Sequence, residues 1–268
     1  MAFTYYEAID DKSNDALTKM NLSQFRSFAI DAKLVDARLP SEKVDSVFQA
    51  VATRPTVERK IGEKVNTLSF PDFIIGLCHL SYLRAAADSS ATMASYTPLH
   101  QKVSDCIANN IMPNCFKKIL TKLEVLQKAF TPGTELLLSK GRRLVEQTLD
   151  SCQLKRTRAA EVRIDVRYLC THLLRWGFIG KELNYTDLAL ITVFAKQTTL
   201  DPAAFVLHPN PIDINYTEFE RLILGMSYHL YLAKTRYDPF EEFLGETMDT
   251  IFKKAGVLLE LPEGEEDE

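Results

Sequence analysis

The chain of 268 residues is 46% apolar, enough to bury a core, and its 32 basic and 36 acidic side chains nearly cancel to a net charge of -4. That balance leaves no basic field of the kind that nucleic acid or an anionic membrane selects. Five scattered cysteines, Cys78, Cys106, Cys115, Cys152 and Cys170, show no CxxC spacing, which argues against a disulfide framework and a zinc site alike.

Glycine and proline are sparse, and apolar residues recur at spacings of three and four, so the expected class is all-α. The first fifteen residues form an N-terminal arm whose Phe3, Tyr5 and Tyr6 suit a segment that docks on something. It lacks a basic flank before an apolar run, and no stretch reaches the roughly 18 apolar residues of a membrane span. A cytoplasmic or cytoskeletal setting is therefore expected.

The periodicity predicts helices over 22–34, 41–52, 69–84, 98–111 and 115–130 in the first half. Ser41 follows Pro40 as a helix cap, and Ser69 precedes Phe70-Pro71-Asp72, where a first-turn proline costs no hydrogen bond and the aspartate suits the helix dipole. Further helices are predicted over 134–152, 159–175, 185–197, 216–234 and 239–255. The charged run Lys155-Arg156-Thr157-Arg158 fits a solvated connector, and Glu263 to Glu268 a short acidic tail.

The two halves repeat each other. Thr67 to Phe73, followed by Ser81-Tyr82, aligns without a gap on Asp213 to Phe219 and Ser227-Tyr228, displaced by 146 residues. Phe25, Leu34, Val35 and Leu39 fall opposite Leu169, Phe178, Ile179 and Leu183 at a displacement of 144. Pro98-Leu99, Val103, Ile107 and Ile111 answer Pro239-Phe240, Leu244, Met248 and Phe252 at 141. The expected organisation is an arm (1–15), a first repeat (16–115), a helical connector (116–158), a second repeat (159–257) and an acidic tail (258–268).

The hydrophobic order of each repeat resembles a pair of EF-hands, each pair followed by a trailing helix. Phe25, Phe28 and Leu34, then Leu39, Val44, Val47 and Phe48, supply entering-helix core, loop aliphatic and exiting-helix core; Leu68 with Phe73 and Leu77 repeats the order. Leu183 with Leu188, and Ile214 with Phe219, do so in the second half. A calcium loop needs oxygen ligands at positions 1, 3, 5 and 12. With position 8 on each aliphatic, the loops offer Ala32, Leu34, Asp36 and Lys43; Ile61, Glu63, Val65 and Asp72; Trp176, Phe178, Gly180 and Asp187; and Leu207, Pro209, Pro211 and Glu218. None makes a calcium cage. Moving the first loop back by one gains Asp31 and Glu42 but leaves Lys33 and Val35 at positions 3 and 5, which reads as helix-end charge.

Tandem, calcium-free EF-hand pairs in a chain of this length resemble proteins of the ciliary and flagellar axoneme, in particular microtubule inner proteins of doublet microtubules. The tubulin polymerisation-promoting proteins are a more distant likeness. The resemblance implies tubulin and other axonemal proteins as partners, a stabilising structural role in the cytoskeleton, and no enzymatic activity. The alternative is a soluble adaptor whose paired helices grip amphipathic helices of a signalling or motor partner.

No catalytic, cofactor-binding or metal-ligating residue is expected. His79, His100, His172, His208 and His229 lack ligand spacing, and neither G-x-S-x-G nor a recognisable catalytic cysteine occurs. Ser139-Lys140-Gly141-Arg142-Arg143 lacks the earlier glycine and the strand of a phosphate loop and reads as a helical turn with exposed bases. Trp176-Gly177-Phe178 places two large rings in a loop, where the domain core is their expected location.

Overall fold

The computed structural model describes residues 2–7, 19–55, 66–88, 96–152, 163–196, 213–234 and 238–258. It is helical almost throughout, with two short antiparallel bridges. Among the described residues one compact unit runs as far as Lys122 and the other begins at Leu123. No described helix is long and apolar enough to cross a membrane.

The first unit contains α1 (Ala2–Glu7), β1 (Met20–Asn21), α2 (Leu22–Asp31), α3 (Ser41–Ala52), β2 (Thr67–Leu68), α4 (Phe70–Asp88) and α5 (Leu99–Cys106). From α5 the chain continues without a break as a π-helical segment, Ile107–Phe116, that contains Pro113, and then as α6 (Lys117–Gln127). β1 pairs with β2, Met20 opposite Leu68. The core below this bridge is aromatic: Phe28 meets Phe73 with ring centroids 5.0 Å apart, Tyr6 meets Phe28 at 5.4 Å and Phe3 meets Phe73 at 5.5 Å. Such ring pairs add to area burial through edge-to-face electrostatics.

The second unit contains α7 (Pro132–Ser151), β3 (Ile164–Asp165), α8 (Val166–Arg175), α9 (Tyr185–Lys196), β4 (Asp213–Ile214), α10 (Tyr216–Ala233) and α11 (Phe240–Lys254). β3 pairs with β4, Ile164 opposite Ile214. α7 packs on α10 and α11, so residues expected to form a connector belong to this unit's core, with Leu138, Val145 and Leu149 buried. At Gly141 a Cβ would collide with the Met248 methyl, which explains the glycine of Ser139-Lys140-Gly141-Arg142-Arg143 by close helix crossing.

The repeat is carried in the backbone. β1, α2 and α3 begin 144 residues before β3, α8 and α9, β2 and α4 begin 146 before β4 and α10, and α5 begins 141 before α11. Hydrogen bonds repeat too: Lys33 N donates to Ile30 O and Gly177 N to Leu174 O, and Ser81 Oγ and Ser227 Oγ each donate back to a carbonyl four residues earlier.

Several expectations change. The bridging aliphatics are Met20 and Ile164, not Leu39 and Leu183; the latter two are buried between α2 and α3 and between α8 and α9, each closing a turn through its carbonyl. α8 begins at Val166 rather than 159, because Ile164 is held in the bridge and Asp165 caps the helix through Arg167 N at 2.8 Å. Pro40 rather than Ser41 occupies the cap of α3. Phe3, Tyr5 and Tyr6 do not project for docking: all three are buried in the first unit. Thr53–Val65 beyond residue 55, Thr198–Ile212, His208, Lys155–Arg158 and the acidic tail from 259 lie outside the described residues.

Candidate functional site: an aromatic cleft and two capped bridges

The second unit holds a cleft of about 450 Å³ lined by Trp176, Phe178, Lys181, Leu230, Phe243 and Thr247 among others. Its wall is built where α8 ends. Trp176 N donates to His172 O at 2.8 Å and Phe178 N to Leu173 O at 2.9 Å, a tight turn that Gly177 completes at φ +81. α10 is tied to the segment beyond by His229, whose Nε2 lies 2.9 Å from Glu182 O and 3.5 Å from Asp187 Oδ2. Trp176 and Phe178 were expected in the core; they are half-buried, because the turn faces them toward the cleft where α11 brings Phe243 and Thr247.

The cleft is amphipathic. The Trp176 ring stands 5.6 Å from His172, whose imidazole is held below its ordinary pKa first by burial and then by Arg175, so it stays neutral at pH 7. Lys234 reaches the Phe243 ring at 5.9 Å and Glu182 at 3.9 Å, while Lys181 is exposed and makes no ion pair among the described residues. Among the described residues lining it, the one acid–base contact is the Lys234–Glu182 ion pair, and the lining holds no serine, cysteine or histidine. Such a lining combines aromatic and aliphatic walls with charges at its rim.

At both bridges the polar groups that start the following helix are satisfied by protein groups. Before α4, Asp72 turns back to accept from Ser69 Oγ at 2.5 Å and Ser69 N at 3.1 Å. Before α10, Glu218 accepts from Asn215 N at 3.0 Å while Asn215 Oδ1 accepts from Glu218 N at 2.9 Å, a reciprocal cap. The second bridge adds a buried cation. Lys196, whose side chain is 5% exposed, donates to the Asp213 carbonyl and lies 3.4 Å from Glu218 Oε2. Sequence reasoning passed over it, since a lysine in the last turn of a helix ordinarily complements the dipole in solvent.

Among the described residues no group of three or more His, Cys, Asp or Glu side chains could hold a metal ion. Cys106, Cys115, Cys152 and Cys170 are buried and Cys78 half-buried. Burial pushes the thiols up, Cys115 and Cys170 to about 12 and Cys152 to about 11, so they remain protonated and poorly nucleophilic near neutrality. The N-terminal arm is pinned by a polar cluster, with Tyr6 Oη donating to Asp31 Oδ2 at 2.8 Å and Lys118 Nζ reaching the same oxygen at 2.6 Å. Burial raises the Tyr6 phenol far above its ordinary value. No protein family, no curated protein and no solved structure matches the chain.

Proposed function

We propose that the chain is a non-catalytic structural protein made of two calcium-free EF-hand-like pairs with trailing helices, which binds and stabilises the tubulin lattice of axonemal doublet microtubules. The observation that carries the reading is the register of the repeat. Ile30 and Leu174, 144 residues apart, are both exposed aliphatics at the same place in α2 and α8. A molecule that presents one apolar contact twice suits a partner that itself repeats.

The bridges support the EF-hand-like frame, because each pair of bridging residues stands just before a helix, as the aliphatic of position 8 does. With position 8 on Met20 and Ile164, positions 1, 3, 5 and 12 hold Ser13, Asp15, Leu17 and Gln24 in one loop and Thr157, Ala159, Glu161 and Tyr168 in the other. Neither set can supply the carboxylates that calcium requires. In the fourth loop the Lys196 ammonium meets the carbonyl of position 7 and the carboxylate of position 12, two groups a calcium ion would otherwise share.

A second reading, an adaptor that grips an amphipathic helix, is favoured by the cleft between Trp176 and Phe243. Extraction of purified axonemes separates the two. Retention with salt-resistant doublets, unchanged by Trp176→Ala, is the expected result; release into the detergent-soluble matrix would overturn the lattice reading and leave the adaptor.

A further inference from the structure

The N-terminal helix α1 is the odd member of the first unit. Its six residues make too short a helix to hold its form alone, since isolated helices below about 12–15 residues are marginal in water. Residues 8–19 separate it from β1 along the chain, yet it packs on α2 and β1 with Phe3, Tyr5 and Tyr6 exposed by only 5%, 3% and 0%. The second unit fills the corresponding place differently. Beside Tyr216, the counterpart of Phe70, stands the end of the 20-residue α7, where Tyr216 Oη donates to Asp150 Oδ1 at 2.9 Å. One unit is covered by a long helix of its own core, and the other by a short segment held through its side chains.

The surface that receives α1 has a definite chemistry. Phe3 meets Phe70 edge-on at 5.6 Å and Phe73 at 5.5 Å, and Tyr6 meets Phe28 edge-on at 5.4 Å. Both phenols find a charged partner: Tyr6 Oη donates to Asp31 Oδ2 at 2.8 Å, and Lys122 Nζ donates to Tyr5 Oη at 3.0 Å. Such pairing selects tyrosine over phenylalanine at both positions. Beneath α1 the aromatic core closes on itself, with Phe28 to Phe73 at 5.0 Å, Phe25 to Phe48 at 5.8 Å and Phe25 to Phe73 at 6.4 Å. Asp31 also has Lys118 at 2.6 Å, and both side chains are partly exposed, so release of Tyr6 strands no charge.

We infer that the surface formed by Phe28, Phe70, Phe73, Asp31 and Lys122 is a recognition site for a short helical protein segment with Phe-x-Tyr-Tyr spacing, occupied in the free chain by α1 as an exchangeable ligand. The rings of such a segment lie on the three phenylalanines, and its phenols pair with Asp31 and Lys122. α1 keeps the site closed because a tethered ligand acts at a high effective concentration, which a partner in solution has to exceed. The site belongs to the first unit alone, so its occupancy is independent of the lattice reading.

The test uses the full chain and a peptide of residues 1–15 with a fluorophore at its Asp15 end, binding being read by anisotropy. Phe3→Ser in the chain loosens the resident α1 and leaves the site intact; it is expected to raise affinity for the peptide at least tenfold while circular dichroism stays unchanged. Tyr6→Phe in the chain, which removes one hydroxyl, is expected to raise affinity about tenfold, the weight of a hydrogen bond to a carboxylate. The same change made in the peptide is expected to weaken its binding to the Phe3→Ser chain about tenfold. Adding Asp31→Ala to that chain is expected to abolish the difference between the two peptides. Peptide binding no tighter in either variant than in the unaltered chain overturns the inference. Loss of the helical signal in Phe3→Ser also overturns it, because α1 is then part of the fold, and so does a preference for the tyrosine peptide that survives Asp31→Ala.

Discussion

The first and second units share one backbone register yet finish it with different side chains. Around the bridges, the first unit satisfies Asp72 with the Ser69 hydroxyl and amide, whereas the second satisfies Glu218 with an asparagine cap and the Lys196 ammonium. At the trailing helix the second unit closes with rings and the first stays open. Helix positions and bridge partners are thus held by geometry, while polar satisfaction admits several solutions. The two units agree in backbone register and differ in the side chains that complete it.

The cores offer the largest test of that equivalence. Phe73 and Phe219 occupy corresponding positions, both fully buried, so Phe73→Ala and Phe219→Ala should each cost about 3–5 kcal/mol in chemical denaturation. A much smaller loss for either would break the correspondence of the two cores. Next comes the bridge chemistry. Lys196→Met leaves the Asp213 carbonyl and Glu218 without their cation and should cost about 2–3 kcal/mol, followed through the emission of Trp176. Ser69→Ala, which removes the first unit's version of the same service, should cost only about 1 kcal/mol. If the two losses are equal, the ammonium contributes no more than a cap.

A smaller effect comes from the turn after α2 and α8. Gly177 has φ +81 with open space around it, and Lys33, its counterpart, holds φ +52 with a full side chain. Gly177→Ala should cost about 1 kcal/mol through backbone strain alone, while Lys33→Gly should gain less than about 1 kcal/mol. The smallest effect is electrostatic. Asp36 accepts from Arg84 and from the amides of Leu39 and Arg38, which hold its carboxyl at about 2. Its stabilising contribution is therefore complete above the ordinary carboxylate pKa of 3.8 and is lost as pH falls toward about 2. The second unit has Gly180 at this position and lacks the contribution. Asp36→Asn should flatten the acid limb of unfolding between these two values, and a carboxyl titration of Asp36 near 4 would refute it.

Much of this architecture was legible in the residues themselves. Apolar spacing located the helices of both units apart from α1, which lies in the expected arm, and Ser69 with Asp72 announced a cap that the structure contains. The repeat emerged from Phe73 and Phe219 with the Ser-Tyr pairs that follow them. The bridges were harder, because two residues pair in each strand and a lone Met20 beside Lys19 carries no alternating pattern. Burial of the N-terminal rings depends on Phe28 and Phe73, contacts far away in sequence that local pattern does not encode. The π-helical turn over 107–116 is also invisible to spacing, since Ile107, Ile111 and Cys115 fit an α-helical stripe equally well. The cleft followed the same rule: Trp176 stood out, but whether its ring entered the core was decided by α11.

The shifts in register also show where the chain accommodates extra residues. The displacement between copies is 144 through β1, α2 and α3, 146 at β2 and α4, and 141 at α5. Every change in that number falls between elements, so the two units differ in length only in their connections up to the start of the last helix. The bridges and the helices α2 and α3 match their counterparts β3, β4, α8 and α9 residue for residue in length, which leaves the joints as the places where inserted sequence can be carried without loss of the fold.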